Sequence, residues 1–318
     1  MRAAIALSQR GAGRTAPNPN VGCLIVNDGM IVGRGWTQPG GRPHAEAHAL
    51  HQAGERSYGA TAYVTLEPCF HISSRGPRCA ELLHQAGISR LVIAATDPDP
   101  RTNGQSIDWL REQGMEVAVG IMADEARTAM APFFTRQLLR RPSVTLKLGL
   151  SLDGCIALAD GSSQWITGPA ARAHAHLERA RHDAILVGRG TWWADNPRLD
   201  VRLPGLEDRS PLRYLLGHGD APDGWGIIHD PTDIASFPDT VGSLMVEGGA
   251  MAAAAFLAAD LVDRLVLYRA PIIIGGGRGA VADIGLADLG LAHGRWRLAD
   301  RRQLGDDAME IYQRVRNA

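Results

Sequence analysis

The hydrophobic pattern of the first part of the chain predicts strands that alternate with helices. Short apolar runs bounded by turns predict buried strands, and mixed segments closed by glycine predict helices. The predicted strands cover residues 21–26, 30–32, 62–66, 91–95 and 115–119. The predicted helices cover residues 45–53, 79–86, 107–113 and 122–140. Such alternation is typical of a layered α/β domain whose strands share one sheet.

A second α/β pattern begins after Arg140-Arg141-Pro142, a break that a proline enforces. Its predicted strands cover residues 144–148, 184–187, 212–216, 244–246, 264–268 and 272–274. Its predicted helices cover residues 172–181 and 251–259. Because no internal repeat relates the two parts, the sequence predicts two different α/β domains, at residues 1–142 and 143–318.

Composition narrows the classes of protein that fit this pattern. The chain has 318 residues, with 33 Lys and Arg against 34 Asp and Glu, so a general nucleic-acid-binding surface is disfavoured. No apolar run reaches the roughly 18 residues of a membrane-spanning helix, and residues 1–14 do not make a convincing signal peptide. We therefore expect a cytoplasmic protein with neither nucleic acid nor membrane as a partner. In such a chain, clustered cysteines indicate a metal site or catalysis rather than disulfides.

Two short motifs supply the residues for a metal site in the first domain. His44 and Glu46 open one predicted helix, and Cys69 and Cys79 flank a loop that leads into the next. One imidazole and two thiolates match the three protein ligands of a catalytic zinc, which keeps a fourth position for water. Glu46 stands two residues from His44, where a carboxylate can move protons without being a ligand. This layout is that of zinc nucleobase deaminases, although nine residues separate the cysteines here and only two separate them in the usual signature.

Other interpretations of these residues stay open at this stage. His-x-Glu alone is common at a solvated helix start, and isolated cysteines such as Cys23 and Cys155 are typical of a core. A structural zinc needs a fourth protein ligand, which His48, His51 or His71 could supply.

Further motifs extend the pattern across nearly the whole chain. In the first domain they are residues 16–22, 43–50 and 63–69. In the second they are residues 147–154, 163–167, 183–188 with Thr191, 195–197 and 246–249. In this order the motifs resemble those of the bifunctional riboflavin-biosynthesis deaminase/reductase family. The resemblance implies an N-terminal cytidine-deaminase-like α/β/α domain followed by a dihydrofolate-reductase-like α/β domain.

The resemblance also implies two consecutive reactions. A zinc deaminase converts 2,5-diamino-6-(5-phosphoribosylamino)pyrimidin-4(3H)-one to the corresponding 5-aminouracil, and an NADPH-dependent reductase then converts the ribosyl side chain to ribityl. By this match His44, Cys69 and Cys79 bind Zn²⁺, and Glu46 is the proton shuttle. Asn18 helps to hold the pyrimidine, and the guanidinium of Arg75 contacts the substrate phosphate.

In the second domain, the resemblance implies one set of residues for the cofactor and another for the substrate. The cofactor NADPH is expected on Gly149, Trp165, Thr191, Asp195, Gly248 and Gly249. The substrate is expected on Ser163, Arg179, Leu199, Arg202 and Glu247. Lys147 is a candidate for a position near the imine that forms when the ribosylamine ring opens before reduction. The two glycines precede a predicted helix, whose N-terminus suits a pyrophosphate. The stretch between Arg202 and Val246 is shorter than in the family, and His218 is a candidate there for a cofactor contact.

Three alternatives to this assignment predict different features. Residues 274–279 are rich in glycine, but they lack the G-x-G-x-x-G spacing and the following helix of a Rossmann site. A deaminase acting only on a nucleoside or a tRNA base predicts a local basic track and no NADPH binding. A non-enzymatic zinc-stabilised binding protein predicts that Glu46→Gln changes no activity. The ordered motifs favour the bifunctional enzyme, which we expect to be a homo-oligomer.

Overall fold

The computed structural model describes residues 1–71 and 76–316, which form two compact units. The first unit covers Met1–Arg140 and the second covers Arg141–Ala318, so the boundary lies two residues before the one predicted after residue 142. Among the described residues, no helix has the length and apolar character needed to cross a bilayer.

The first unit is built on a mixed sheet with the strand order β2-β1-β3-β4-β5. Its strands are β1 (Gly22–Asn27), β2 (Met30–Trp36), β3 (Thr61–Leu66), β4 (Arg90–Ala95) and β5 (Glu116–Val119). β1 pairs antiparallel with β2 and with β3, whereas β3, β4 and β5 run parallel. The carboxyl ends of β3 and β4 therefore lie side by side, and the loops that follow them can meet.

Helices cover this sheet, and one of them differs from the prediction. The helices are α1 (Arg2–Ser8), α2 (Ala45–Ala53), α3 (Cys79–Gln85), α4 (Gln105–Glu112), α5 (Ala123–Ala129) and α6 (Ala131–Leu139). The single helix predicted over residues 122–140 is wrong, because Met130 breaks it into α5 and α6. Pro132 lacks the N–H of a helix interior, so it occupies the first turn of α6 instead.

The second unit is built on a larger sheet with the order β10-β9-β8-β11-β6-β12-β15-β14. Its parallel strands are β6 (Ser143–Leu150), β8 (Ala184–Gly188), β9 (Leu212–Leu216), β10 (Gly226–Ile228), β11 (Ser243–Glu247) and β12 (Val262–Arg269). The antiparallel hairpin of β14 (Trp296–Leu304) and β15 (Asp307–Arg314) completes one edge. A small separate pair joins β7 (Cys155–Ala157) and β13 (Arg278–Gly279).

The helices of the second unit are α7 (Pro169–Arg179), α8 (Arg189–Asp195) and α9 (Ala250–Ala258). α8 begins directly after β8, and α9 begins shortly after β11. Since β8 and β11 are adjacent and parallel, both helices start at the same edge of the sheet. The interior between sheet and helices is apolar, with Leu146, Leu186 and Phe256 fully buried.

The strand predicted over residues 272–274 is wrong. Ile273 is 75% exposed, and the backbone amides of Ile274 and Gly275 donate to the carboxylate of Asp153 instead of to a neighbouring strand. The apolar run that suggested a buried strand is therefore a surface loop held by one aspartate.

Candidate active sites

The first candidate site lies where α2 and α3 begin. His44 immediately precedes α2, Cys79 is the first residue of α3, and Cys69 lies in the loop after β3. His44 Nδ1 is 3.3 Å from Cys79 Sγ and 3.5 Å from Cys69 Sγ. One ligand atom of each residue lies within 4.8 Å of the other two. The structure thus brings the three expected metal ligands together.

Close packing of α2 on β2 fixes the position of His44. A Cβ on Gly35 would lie only 1.9 Å from the Ala45 carbonyl oxygen, so a residue with a side chain would push the helix away. The side-chain amide of Asn18 lies 3.2 Å from the Gly41 carbonyl and 3.2 Å from His44 Nε2. Held in this way, the imidazole turns Nδ1 toward the two sulfur atoms.

The two sulfurs are ionised unequally. The hydrogen bond from Cys79 lowers the pKa of Cys69 to about 4, with His44 acting in the same direction against burial. The pKa of Cys79 is raised by that same hydrogen bond and by burial. The backbone amide of Cys79 also donates to Cys69 Sγ at 3.4 Å, as expected for an anion at the start of a helix.

Glu46 is almost fully buried in the first turn of α2, next to these ligands. Burial raises its pKa to about 7, although His44 and a hydrogen bond with Cys79 oppose this. A carboxyl group with a pKa near neutrality can both accept and donate a proton, which is what a general acid and base must do.

The donor set fits a catalytic zinc better than a structural one. One nitrogen and two sulfurs are the ligand types that zinc prefers, and three protein ligands leave a position for a substrate or water. In the described part of the chain, no further histidine, cysteine or carboxylate joins the group. His48 pairs with Gln38 and His71 with Thr102, so the structural-zinc alternative lacks its fourth ligand there. Cys23 and Cys155 are buried, as predicted.

An acidic loop that the sequence did not indicate lies beside this site. Asp97 follows β4 and is buried, and burial raises its pKa to about 7, with Asp99, Glu67 and Cys69 adding to the effect. Glu67 directly precedes Pro68-Cys69. Its carboxylate accepts from the Asp97 and Gly104 amides and from the Ser106 hydroxyl, and so links the acidic loop to the segment that carries Cys69. The detectable signal was the Asp97-Pro98-Asp99 run at the end of a buried strand. Arg75, the expected phosphate ligand, lies outside the described residues.

The second candidate site centres on Glu247, at the carboxyl end of β11. Arg179 on α7 donates to both oxygens of its carboxylate, from Nε at 2.6 Å and from Nη2 at 2.9 Å. Lys147 on β6 lies 3.5 Å from the same carboxylate. Burial opposes ionisation of Glu247, but Lys147 and Arg179 hold its pKa at about 2. Glu247 is therefore a buried anion flanked by two cations.

The expected substrate residues divide into buried and accessible ones. Leu199 packs its side chain among Ile185, Val187 and Leu215, so only its backbone can face a ligand. Arg202 is half exposed, and its Nη2 lies 3.3 Å from His176 Nε2. His176 was missed by sequence reasoning, although it shares a face of α7 with Arg179 at a spacing of three residues.

The expected cofactor residues lie at the carboxyl edge of the sheet and in the loop after β7. The backbone amide of Gly249, which precedes α9, donates to the Thr191 hydroxyl at 2.9 Å and so links α9 to α8. Gly248 follows Glu247 directly, and Asp195 shares a face of α8 with Thr191. Gly149 packs against Thr167, in the segment that carries Ser163 and Trp165. Trp165 is 66% exposed, and the guanidinium of Arg172 lies over its ring, 4.8 Å from the centroid.

Lys147 has a second set of neighbours that the sequence did not indicate. Its ammonium lies 5.9 Å from the ring centroid of Tyr268, whose hydroxyl is 2.8 Å from His174 Nδ1. This contact places Lys147 between a carboxylate and an aromatic ring, which restricts the position of its amine.

Comparisons with known proteins agree with this arrangement. Residues 1–95 match the cytidine and deoxycytidylate deaminase zinc-binding region, and residues 142–224 and 239–309 match the RibD C-terminal domain. The riboflavin biosynthesis protein RibD of Escherichia coli is 38% identical to this chain over 96% of each sequence.

Two solved structures are similar along almost their whole length. The structure of Acinetobacter baumannii RibD has a TM-score of 0.87 and 34% identity, and the match covers 99% of this chain and 98% of that one. A diaminohydroxyphosphoribosylaminopyrimidine deaminase/5-amino-6-(5-phosphoribosylamino)uracil reductase from Thermotoga maritima has a TM-score of 0.86 and 29% identity, and covers 99% and 97%. These matches confirm the predicted fold class, a cytidine-deaminase-like domain followed by a dihydrofolate-reductase-like domain.

Proposed function

The chain belongs to the RibD family of riboflavin biosynthesis proteins, bifunctional enzymes with a zinc-binding deaminase domain and an NADPH-using reductase domain, and from this premise we propose which residues carry each reaction. The reactions are hydrolytic deamination of 2,5-diamino-6-(5-phosphoribosylamino)pyrimidin-4(3H)-one and reduction of its ribosyl side chain to ribityl. We assign the deaminase to residues 1–142 and the reductase to residues 143–318. The observation that carries the assignment is Glu46 buried beside the cluster of His44, Cys69 and Cys79.

In the deaminase domain, His44, Cys69 and Cys79 would hold the zinc. Zinc acts as a Lewis acid and makes water a nucleophile near neutral pH. The carboxylate of Glu46 takes a proton from the attacking water and passes it to the leaving amine. A carbon–oxygen bond forms at the amine-bearing ring carbon, the carbon–nitrogen bond breaks, and ammonia leaves. Asn18 keeps the His44 ring in position, and its side-chain amide can form a hydrogen bond with the pyrimidine.

In the reductase domain, the reacting carbon would lie over the carboxyl ends of β6 and β11. NADPH would supply the hydride that adds to the carbon of the ring-opened imine of the ribosylamine, and a proton from solvent would complete the amine nitrogen. Lys147 orients the imine, and Glu247 fixes Lys147 through their ion pair. Arg202 would bind the substrate phosphate, together with Ser163 and the backbone of Leu199. Arg179, assigned to the substrate from the resemblance, would act on it by holding Glu247.

The cofactor would follow the edge where α8 and α9 begin. Gly248 and Gly249 allow a phosphate to approach the backbone at the start of α9. Thr191 and Asp195 line the neighbouring helix, while Gly149 and Trp165 lie on the side of β6. The chemistry of each residue type suits this role, because small residues permit close approach and the exposed indole offers a flat apolar face.

The ligand chemistry and the exposed apolar side chains support a cellular location and an oligomeric state. Thiolate ligands and NADPH suit a reducing compartment, which supports a cytoplasmic enzyme acting on a small phosphorylated pyrimidine. A homo-oligomer is supported by exposed apolar side chains in the second unit, among them Ile273, Leu289 and Leu291, which are 75%, 73% and 64% exposed. Light scattering on the purified protein tests this expectation, and a monomer at all concentrations would contradict it.

The experiment that tests the proposed function is an assay of the purified chain with the diaminopyrimidine substrate, with and without NADPH. Without NADPH, we expect ammonia release and accumulation of the aminouracil. With NADPH, we expect its oxidation in equal amount to the ribityl product. Failure to release ammonia from this substrate would contradict the proposal for the first domain, and failure to oxidise NADPH on the deaminated compound would contradict it for the second.

A further inference from the structure

A cluster of one guanidinium and two imidazoles lies at the edge of the second sheet. Arg189 directly follows β8, His218 comes shortly after β9, and His229 directly follows β10. The two imidazole rings are stacked nearly parallel, at 6° with 5.3 Å between centroids. Because β8, β9 and β10 are parallel neighbours, all three residues lie at the carboxyl edge of the sheet, where ligands of such sheets bind.

Arg189 is fitted against the loop that carries His218. A Cβ on Gly217 would lie 3.1 Å from Arg189 Nε, and one on Gly219 would lie 3.8 Å from Nη2. The guanidinium therefore passes along the backbone on both sides of His218. We refer to Arg189, His218 and His229 as the arginine–histidine cluster.

Internal partners do not neutralise this cluster. In the described part of the chain, Arg189 Nε is buried without a hydrogen-bond partner. Its other partners are the Asp220 carbonyl, at 3.2 Å from Nη2, and the Trp193 ring, and neither carries a charge. The Nδ1 of His229 is 2.9 Å from the Gly217 carbonyl, which can only accept, so Nδ1 carries a proton and Nε2 is left for another group.

Two carboxylates close to His229 in the chain, those of Asp230 and Asp233, are engaged within their own turn. Asp233 accepts from the amides of His229 and Asp230, and Asp230 accepts from the amide and hydroxyl of Thr232. These bonds cap the short 3-10 turn Pro231–Ser236. The cluster thus offers N–H donors and positive charge to an anion that comes from outside the fold.

The strand order places the cluster relative to the proposed cofactor. Lys147 on β6 and Glu247 on β11 mark where the hydride-accepting carbon of the substrate would lie. The hydrogen bond from Gly249 to Thr191 lies one strand further along the sheet, between β11 and β8. The cluster comes next in the same direction, on β8, β9 and β10. Since adjacent strands are about 4.8 Å apart, the cluster extends from roughly 5 Å to roughly 15 Å beyond β11. A dinucleotide with its nicotinamide at β6 and its pyrophosphate at Gly249 would direct its adenosine half there.

NADPH differs from NADH only by a phosphate on the 2′ oxygen of the adenosine ribose. We propose that the arginine–histidine cluster binds this 2′-phosphate and thereby makes the reductase prefer NADPH to NADH. The inference rests on the proposed reductase function and adds to it the residues that choose the cofactor. A guanidinium matches two phosphate oxygens with two parallel hydrogen bonds, and the imidazoles supply further N–H donors.

Equilibrium binding of cofactors to the full chain tests the proposal without any turnover. Binding of NADPH, NADH, 2′,5′-ADP and 5′-AMP is measured by calorimetry for the natural protein and for Arg189→Ala, His218→Ala and His229→Ala. Loss of a charge-assisted hydrogen bond raises Kd about 10- to 100-fold. We expect this increase for NADPH and 2′,5′-ADP with Arg189→Ala, a smaller one with each histidine variant, and little change for NADH and 5′-AMP.

A matched control removes an arginine at the other edge of the sheet. Arg302 on β14 is exposed and pairs with Asp300, so Arg302→Ala should leave all four Kd values unchanged. Thermal unfolding of each variant shows whether the fold is retained, and Arg189→Lys, which keeps the charge, should recover part of the NADPH affinity.

Two results would overturn the inference. One is that Arg189→Ala binds NADPH as tightly as the natural protein does. The other is that NADPH and NADH weaken in parallel, because the cluster would then act on a part shared by both cofactors. In either case, NADPH oxidation by the natural protein would leave the proposed reductase function standing. If the natural protein neither binds NADPH nor oxidises it, both the proposed function and this inference fail.

Discussion

Arg179 and Glu247 form a bidentate ion pair, with 2.6 Å between Nε and Oε1 and 2.9 Å between Nη2 and Oε2. Both side chains are largely buried, and the third nitrogen of the guanidinium donates to the Asp200 carbonyl at 3.0 Å. The resemblance to the deaminase/reductase family assigns Arg179 to the substrate. Its geometry supports a positioning role instead, because its donors already bind Glu247 and the loop before Arg202.

Replacing Arg179 should therefore destabilise the second unit as well as impair reduction. In Arg179→Ala, the buried carboxylate of Glu247 loses two hydrogen bonds and keeps only Lys147, at 3.5 Å, as a cationic partner. Breaking such a pair costs about 3–5 kcal/mol. Urea unfolding measures the loss, and the double variant Arg179→Ala/Glu247→Gln should recover part of it, because it removes a buried negative charge that has lost most of its compensation. Equal losses in the single and double variants would contradict this explanation.

Glu46→Gln should abolish ammonia release while NADPH oxidation on the deaminated compound continues. The amide keeps the size of the side chain but cannot accept and return a proton. The two activities are measured separately, with the aminouracil supplied for the second. Zinc content, measured by plasma mass spectrometry, should stay near that of the natural protein, since Glu46 is not a ligand in our proposal. Loss of both activities would argue against separate sites.

Cys79→Ser should lower the zinc content and the deaminase activity together. The serine hydroxyl stays protonated near neutral pH and is a poor zinc ligand compared with a thiolate. Cys155→Ala is the matched control, since it removes a buried cysteine from the other unit. A Cys79→Ser protein that retains full zinc and full ammonia release would remove Cys79 from the ligand set.

Much of the fold follows from local patterns in the sequence. The predicted helix over residues 45–53 matches α2, and strands β3, β4, β8, β9 and β11 lie within about one residue of their predicted ranges. These elements are apolar and bounded by glycine or polar turns, so local patterning and tertiary burial agree. The β14–β15 hairpin escaped prediction because it is an edge: Trp296–Leu304 is largely exposed and rich in charge, and it shows no strand-like alternation.

The candidate sites were predicted unevenly for a physical reason. His44, Glu46, Cys69 and Cys79 belong to residue types that rarely cluster without a metal, so their identities carry the signal. His176, Tyr268 and Arg189 are ordinary residues whose roles arise from positions at the end of one sheet. The register that pairs Lys147 with Glu247 depends on the parallel pairing of β6 and β11, which lie about a hundred residues apart in the chain. No local pattern specifies such a pairing.

Arg202→Ala should raise the KM of the reductase about tenfold, the effect of one lost charge-assisted hydrogen bond, and leave deamination nearly unchanged. Arg202 is half exposed and its guanidinium lies beside His176, so it is available to a phosphate in a way that Arg179 is not. Arg297→Ala, on the exposed β14 strand, is the control and should leave KM unchanged. An unchanged KM in Arg202→Ala would remove this residue from the phosphate site.

Glu178 should make the stability of the second unit depend on acid pH. Burial opposes its ionisation, but Arg264, His182 and Arg181 hold its pKa at about 2, below the ordinary value of 4.5. Because the folded-state pKa is the lower one, the stabilisation is complete above about pH 4.5 and is lost as the pH falls toward 2. The difference between the pKa of Glu178 in the unfolded and the folded chain corresponds to about 3 kcal/mol in the free energy of unfolding.

Urea unfolding of the natural protein and of Glu178→Gln between neutral pH and about pH 2 measures this contribution. The variant cannot ionise at this position, so its free energy of unfolding should fall less on acidification, and the gap between the two proteins should narrow as the pH falls. Asp124→Asn is the control, because Asp124 is almost fully exposed and its pairing with Arg127 is weak. A gap that stays constant over this pH range would show that Glu178 has the same pKa in the folded and unfolded chains, and that its contacts with Arg264 and Arg181 stabilise the fold without coupling to its ionisation.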